Sequence, residues 1–305
     1  MRLNYRILWI EDSSDWAESI QERISEIVES YGLFANFTIL SAESNIQKYS
    51  NYNLILMDLC LAEGRQGDAL IEQIRSLNVF TDIVFYSASG VEAVKNRGRD
   101  LNLEGVYYAD RKDVLFLRKV KEVINASLQS FQDLVNLRGL VMAEVSELDS
   151  KMDSIIEAYF IDKKRMIEFH KHVTKDREKS TKRNLKGECD KSCEHKWRTM
   201  ELPDILNTLD SNSRAHAVNV VISYFVSAGV PFKEFEKESF YTRFDKDIIK
   251  MRNNLAHCVE GEDDGKPILK TRSGVISYTE DEIVTIRKNI RFYNELFEQI
   301  VDLLG

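Results

Sequence analysis

The run Asn-Leu-Ile-Leu-Met-Asp at positions 53–58 decides the fold of the first half of the chain. Four successive apolar residues followed by a single carboxylate are typical of a strand that is buried on both faces of a parallel sheet. Open sheets of this kind place their chemistry just beyond the carboxyl ends of the strands. The sequence therefore predicts that Asp58 lies at the functional edge of a sheet.

Two other strand-like runs also end in polar residues. One is followed by Glu11 and Asp12, and the other by Ser87. If these strands flank the strand of Asp58, their carboxyl ends bring the three carboxylates and the hydroxyl into one small pocket. Clustered carboxylates require a cation to neutralise them, and hard oxygen ligands suit Mg²⁺. We therefore expect a magnesium site at this edge, with Ser87 beside it.

Strand-like and helix-like runs alternate five times over the first part of the chain, which predicts a parallel sheet with helices on both faces. The expected fold class is an α/β, flavodoxin-like domain of five strands over residues 1–125. The predicted strands lie at 5–10, 34–40, 53–58, 82–87 and 105–109.

The acidic pair after the first strand, Asp58 after the third and Ser87 after the fourth resemble the receiver domain of bacterial response regulators. The resemblance covers residues 1–125. It implies that Asp58 accepts a phosphoryl group from a sensor histidine kinase, a phosphotransfer protein or a small phosphodonor. It also implies that Mg²⁺ is required for this transfer and is held by Glu11, Asp12, Asp58 and the backbone carbonyl of Cys60.

The same resemblance assigns a switch to the last two strands. The Ser87 hydroxyl is expected to bind the new phosphoryl oxygen, and Tyr108 is expected to reorient with it. The family normally has a lysine followed by proline at the end of the fifth strand, but here the residues are Ala-Asp-Arg-Lys-Asp at 109–113. Arg111 fits the lysine position by its offset from Ser87, with Lys112 as the second candidate. An arginine can pair with both a phosphoryl oxygen and an aspartate. The departure also leaves open a degenerate receiver that takes no phosphate.

The second half of the sequence predicts an all-α region. Apolar residues repeat there at every third or fourth position, as on one face of an amphipathic helix. We expect a long connecting helix over 126–160 that also serves as a homodimer interface, followed by a helical effector domain over 161–305. The predicted helices lie at 128–160, 161–180, 202–228, 234–258 and 280–304.

One motif in this region bears chemistry, namely Arg252, Asn253 and His257 near the end of a predicted helix. It resembles the HEPN superfamily of helical, commonly homodimeric domains, many of which are metal-independent ribonucleases. The resemblance implies that His257 acts as a general acid or base, that Arg252 stabilises the phosphorane and that Asn253 orients the histidine or binds phosphate. Two alternatives remain open: a non-catalytic module that binds a partner protein or nucleotide, and a histidine that merely stabilises a helix end.

A basic run supports RNA as a partner. Between Lys163 and Lys186, ten basic residues stand against three acidic ones, in a protein whose net charge is −8. Such a stripe suits phosphate binding, although a solvated helix face would have the same composition. His170 or His172 within it is a weak candidate for phosphotransfer.

Metal-binding cysteines and membrane segments are not favoured. Cys189, Cys193 and His195 could ligate zinc, but their spacing is irregular and a fourth ligand is missing nearby, so zinc is unlikely to be a cofactor. The four cysteines form no secreted disulfide framework. No apolar run approaches the roughly 20 residues of a membrane span, and the first residues lack the layout of a signal peptide. We expect a cytoplasmic protein with no membrane partner.

Overall fold

The computed structural model describes residues 3–41, 46–101, 103–129, 134–161, 164–167, 169, 201–263, 266–271, 274–276 and 278–305. The chain forms two compact units. The first contains residues 1–137 and 278–288, and the second contains residues 138–277 and 289–305.

The first unit is built on a five-stranded parallel sheet with the order β2-β1-β3-β4-β5. This order defines the flavodoxin-like class of doubly wound α/β folds, so the predicted fold class is confirmed. The strands are β1 Asn4–Ile10, β2 Phe34–Leu40, β3 Leu54–Asp58, β4 Asp82–Ser87 and β5 Val106–Asp110. The helices are α1 Ser14–Ser30, α2 Gly67–Ser76, α3 Val91–Asp100 and α4 Asp113–Gln129.

The apolar pattern of the sequence explains this arrangement. Every residue of β3 is buried, as expected for a central strand covered on both faces. Along α1 the buried residues recur at helical spacing, so one side of the helix packs on the sheet. They are Ala17, Ile20, Ile24 and Val28. Burial of these faces is the main source of stability for the unit.

The topology fixes where a site can form. The chain leaves β1 towards β2 on one side, and β3 pairs with β1 on the other side. The strand order therefore reverses between β1 and β3, and the crevice beyond their carboxyl ends is the usual ligand site of such sheets. Glu11 directly follows β1 and Asp58 ends β3, so both acids lie at this crevice.

The second unit is largely helical, but its described part also contains a three-stranded antiparallel sheet of order β6-β7-β8. Its strands are β6 Val259–Asp263, β7 Lys266–Thr271 and β8 Gly274–Ile276. The expectation of an all-α region missed this sheet, because the strands are only three to six residues long and lack a clear alternation of apolar and polar residues. Among the strand residues whose side chains the structure describes, Ile268 and Leu269 of β7 are the buried ones.

Helices of the second unit begin and end differently from the predicted ranges. They are α5 Leu134–Phe160, α6 Leu202–Leu206, α7 Ser211–Ser227, α8 Phe240–Phe244, α9 Lys250–Ala256 and α10 Glu280–Leu304, whose first turns belong to the first unit. The predicted helix 202–228 is interrupted before Asp210, whose carboxylate caps α7 by accepting the N–H of Ser213. Between α8 and α9 the residues Asp245–Ile249 form a π-helix.

The predicted connecting helix over 126–160 corresponds to two elements. Residues 126–129 are the end of α4, and α5 has 27 residues. The predicted apolar stripe of α5 is buried, at Leu137, Val141, Val145, Leu148 and Met152. Its role as a dimer interface stays a prediction. None of the described helices is long and apolar enough to span a membrane.

Candidate functional site

Three carboxylates converge at the carboxyl edge of the parallel sheet. One carboxylate oxygen from each of Glu11, Asp12 and Asp58 lies within 4.8 Å of the other two. Glu11 and Asp58 are 2% and 3% exposed, whereas Asp12 is open to solvent. Two buried acids and one exposed acid form a half-open pocket that a small cation can enter from the solvent side.

The donor set fits a hard divalent cation. All three side chains offer oxygen, which Mg²⁺ and Mn²⁺ prefer over nitrogen or sulfur. The carbonyl of Cys60, predicted as a fourth ligand, does not form the hydrogen bonds of the local bridge between Cys60 and Gln66, which join the groups of their neighbours. Those bonds run from the Gly67 N–H to the Leu59 carbonyl and from the Leu61 N–H to the Arg65 carbonyl.

The electrostatics of the pocket disfavour the charged forms of its two buried acids. Burial and, next, the charge of Glu11 raise the pKa of Asp58 to about 7, although Arg111 and the N–H of Leu59 lower it. Burial likewise raises the pKa of Glu11, against the lowering effects of Ser13, Tyr86 and Arg111. Two acids this close resist full ionisation at neutral pH, and a divalent cation between them would remove that penalty.

Arg111 places a positive charge beside the two buried acids. Its Nη2 lies 2.9 Å from Glu11 Oε1, and its Nη1 lies 3.8 Å from Asp58 Oδ2. Its guanidinium carbon lies 4.5 Å from the centre of a Trp16 ring, a cation–π contact. Lys112 is exposed, and its backbone N–H donates to Asp110 Oδ1 at 2.9 Å. Of the two candidates for the lysine position, Arg111 is therefore the one whose side chain contacts the acids.

Ser87 ends β4 at the same edge and is 2% exposed. Its Oγ accepts the N–H of Ser89 at 3.1 Å, and its carbonyl accepts the N–H of Arg111 at 3.1 Å. The β3–β4 register pairs Asp58 with Tyr86, so Ser87 stands one residue beyond the level of Asp58. The hydroxyl is thus held by the backbone next to the acid cluster.

Tyr108 lies on β5 with its ring against α3. A Cβ atom added to Gly98 would lie 2.0 Å from the Tyr108 hydroxyl oxygen, so the ring occupies the space that a larger residue would fill. The ring is partly buried and packs on the apolar cluster beneath the sheet. The ring of Tyr108, the aromatic residue of the predicted switch, therefore packs against α3 where Gly98 has no side chain.

Several residues of the site have no signal in the sequence. Tyr86, Trp9 and Trp16 look like ordinary apolar residues of a strand or helix, yet they surround Glu11 and Arg111. Gly67 looks like a loop residue but begins α2 directly against the backbone of Asp58.

The second predicted site lies at the end of α9. Arg252 Nη1 donates to Asn253 Oδ1 at 3.1 Å, and the His257 N–H donates to the Asn253 carbonyl at 3.2 Å. Asn253 and His257 are exposed, and Arg252 is half-buried. The Arg252 charge also acts on Asp149 of α5, lowering a pKa that burial raises. These residues form a solvent-facing polar group at a helix end.

Other sequence predictions fall mostly outside the described residues. His170, His172, Cys189, Cys193 and His195 lie there, as does most of the basic run. Within that run, Arg165 is described, and its guanidinium carbon lies 4.4 Å from the ring centre of Tyr159 and 5.2 Å from that of Tyr224. This arginine packs on aromatic rings.

The fold and the acid cluster together define a flavodoxin-like domain with three converging carboxylates at the carboxyl edge of its sheet. Comparison with known structures finds similar domains. The receiver domain of the Francisella response regulator 1452 is 16% identical, with 42% of this chain and 100% of that chain covered and a TM-score of 0.32. The phosphorylated cyanobacterial phytochrome response regulator RcpA is 18% identical, with 42% and 96% covered and a TM-score of 0.32. The Mn²⁺-bound response regulator Rcp1 is 21% identical, with 39% and 91% covered and a TM-score of 0.31.

These similarities concern the first unit, and at such scores they carry no weight for function. No protein-family model and no curated protein matches the sequence. Any function must therefore be inferred from the chain's own site.

Proposed function

We propose that the protein is a two-component response regulator whose first unit is phosphorylated on Asp58 in a Mg²⁺-dependent reaction. The observation that supports this is the convergence of Glu11, Asp12 and Asp58 within 4.8 Å at the switch point of the sheet. Arg111 and Ser87 stand beside them, so a nucleophile, a cation site, a fixed positive charge and a hydroxyl occur together. Phosphoryl transfer needs little more than such positioning and charge neutralisation.

In the proposed reaction, a carboxylate oxygen of Asp58 attacks the phosphorus of a phosphohistidine or a small phosphodonor. The new P–O bond forms as the bond from phosphorus to the donor breaks, and the donor leaves with its electron pair. Glu11, Asp12, Asp58 and the Cys60 carbonyl would hold Mg²⁺, which neutralises charge on the transferring group. Arg111 and the Ser87 hydroxyl would bind the phosphoryl oxygens of the product.

A degenerate receiver is the main alternative for this unit. It would tolerate loss of acids from the pocket, since nothing would need to bind there. Instead, Glu11 and Asp58 are both buried, although burial raises the pKa of each and so disfavours the charged carboxylates. Keeping two costly acids beside an arginine favours a working phosphoacceptor. The expected upstream partner is a sensor histidine kinase or a phosphotransfer protein.

Beryllofluoride with Mg²⁺, which mimics a phosphoryl group on a carboxylate, should change the tryptophan fluorescence of the protein. The reason is that Trp16 stacks on Arg111, and Arg111 contacts the acids that the ligand would occupy. The measurement is a fluorescence titration of the full chain, with Asp58→Asn as the control that should abolish the change. Equal titration curves for the wild type and Asp58→Asn would contradict the proposal.

For the second unit we propose, as a second candidate function, a metal-independent ribonuclease that uses Arg252, Asn253 and His257. The observation that favours this candidate is the position of the three residues at one helix end, where Arg252 is bonded to Asn253 and where Asn253 and His257 are exposed and so accessible to RNA. His257 would move protons for the ribose 2′-hydroxyl and the leaving oxygen, and Arg252 would stabilise the pentavalent phosphorus. A homodimer would bring two copies of the motif together. The alternative is a non-catalytic unit that binds a partner protein or nucleotide under control of Asp58.

Purified protein incubated with total RNA in EDTA should cleave it, and His257→Ala should lower the rate by about 100-fold or more, as expected for loss of a general acid or base. The measurement is product formation on a gel, with detection of 2′,3′-cyclic phosphate ends. Lys246→Ala, an exposed change on the adjacent π-helix, is the control and should cleave as the wild type does. If neither the wild type nor the variant cleaves, with or without a phosphodonor, the non-catalytic alternative holds.

A further inference from the structure

The buried side of Glu11 faces a hydrogen-bond chain that the sequence did not predict. Trp9 Nε1 donates to the Tyr86 hydroxyl at 2.7 Å, and this hydroxyl donates to Glu11 Oε2 at 2.8 Å. Both bonds are buried, and Trp9 and Tyr86 are 0% exposed. The chain ends on a carboxylate of the candidate cation pocket.

We propose that Tyr86 is a positioning residue that sets the divalent-cation affinity of the pocket by fixing the orientation of Glu11, with Trp9 as its support. This inference rests on the proposed function only in taking Glu11, Asp12 and Asp58 as the cation site. Tyr86 does not touch the cation in this assignment. It acts through Glu11 alone.

The hydrogen-bond pattern of Glu11 explains why one hydroxyl matters. Oε1 accepts the Ser13 N–H at 2.9 Å and the Arg111 Nη2 at 2.9 Å, whereas Oε2 accepts from Tyr86. Without the hydroxyl, this carboxylate oxygen would lose its donor, which is costly because Glu11 is only 2% exposed. Glu11 would then rotate towards Arg111 or solvent, away from the geometry that it shares with Asp58.

Packing holds Tyr86 in place independently of its hydroxyl. Its ring meets Phe116 edge-on at a centroid distance of 4.7 Å and Trp16 at 5.5 Å. Trp9 stacks on Phe116 at a centroid distance of 6.1 Å, so Trp9 and Tyr86 belong to one aromatic cluster. A phenylalanine at position 86 would keep these contacts, and Tyr86→Phe therefore isolates the hydrogen bond.

Direct binding measurements test the role of the hydroxyl. Mg²⁺ affinity is measured by calorimetry and Mn²⁺ affinity by electron paramagnetic resonance of the free ion, both on the full chain. Tyr86→Phe should weaken both by about 10- to 100-fold, the usual effect of removing a partner that orients a metal ligand. Trp9→Phe, which leaves the Tyr86–Glu11 bond but removes its support, should weaken binding less.

Tyr5→Phe is the matched control. Tyr5 is also a buried tyrosine of this sheet, 2% exposed, and its hydroxyl bonds Ser127 Oγ at 2.9 Å, away from the acids. A loss of stability alone would appear in both tyrosine variants, but only Tyr86→Phe should lose cation affinity. Wild-type affinity in Tyr86→Phe overturns the proposal. If that variant does not fold, wild-type affinity in Trp9→Phe overturns it instead. A wild type that binds neither ion overturns the proposed function as well.

Discussion

Replacing Asp58 with asparagine is expected to stabilise the metal-free protein. The gain in unfolding free energy should increase by roughly 2 to 4 kcal/mol between pH 4 and pH 8. The cause is the environment of the carboxylate. Burial and the neighbouring Glu11 raise the pKa of Asp58 from 3.8 to about 7. Above that pH the folded protein must hold a charge that its surroundings disfavour, whereas asparagine is neutral throughout.

The direction of the effect follows from proton binding. Folded Asp58 binds a proton below about pH 7, whereas unfolded Asp58 binds one only below about pH 4. Between these values unfolding releases a proton, so wild-type stability falls as pH rises and its contribution is fully lost above the folded pKa. Asparagine has no such transition. Its Oδ1 can still accept the Leu59 N–H that Asp58 accepts at 2.8 Å.

Mg²⁺ should reverse the ranking of the two proteins. A ligand that binds only the folded state stabilises it by mass action, so Mg²⁺ should raise the unfolding free energy of the wild type at pH 8 but not that of Asp58→Asn. Asp82→Asn, a carboxylate at the opposite end of β4, should keep the Mg²⁺ response. The measurement is denaturant unfolding at pH 4, 6 and 8, in EDTA and in Mg²⁺. Parallel pH curves for the wild type and Asp58→Asn would contradict the assigned environment.

The acids of this site could be predicted from sequence because a simple rule governs them. Carboxyl ends of adjacent parallel strands meet at one edge, so residues that directly follow buried strands must cluster. The sequence is less decisive for the basic residue of the site, because Lys112 fits the family's lysine position nearly as well as Arg111 by its offset from Ser87. In the structure the Arg111 N–H bonds the Ser87 carbonyl, and the Arg111 side chain contacts Glu11 and Asp58. No spacing rule in the sequence encodes that bond.

Tyr86 shows where strand patterns stop being informative. Alternation assigns a residue to a face of the sheet but says nothing of what a hydroxyl reaches across it. The register that sets Asp58 beside Tyr86 is a tertiary fact. In the second unit, the strands of the small sheet are not predicted because β6 to β8 are short and do not alternate clearly between apolar and polar residues.

Gly67→Ala is expected to destabilise the first unit by roughly 1 to 3 kcal/mol, as overpacking of a close contact does. A Cβ atom at position 67 would lie 2.0 Å from the Asp58 carbonyl oxygen and 3.0 Å from Met57 Cγ. The Gly67 N–H also donates to the Leu59 carbonyl at 2.8 Å, which draws the start of α2 onto the end of β3. Backbone must therefore move, and the atoms that move carry the phosphoacceptor.

Gly139→Ala separates this effect from ordinary helix propensity. Gly139 lies within α5, and an added Cβ there meets nothing within 4 Å. Alanine should therefore stabilise that helix by about 0.5 to 1 kcal/mol, the usual gain over glycine. Thermal unfolding followed by circular dichroism should thus shift in opposite directions for the two variants. Gly67→Ala should also weaken Mg²⁺ binding, because the displaced strand end carries Asp58 and leads into Cys60. Equal stabilisation by both alanines would mean that α2 is not seated against β3.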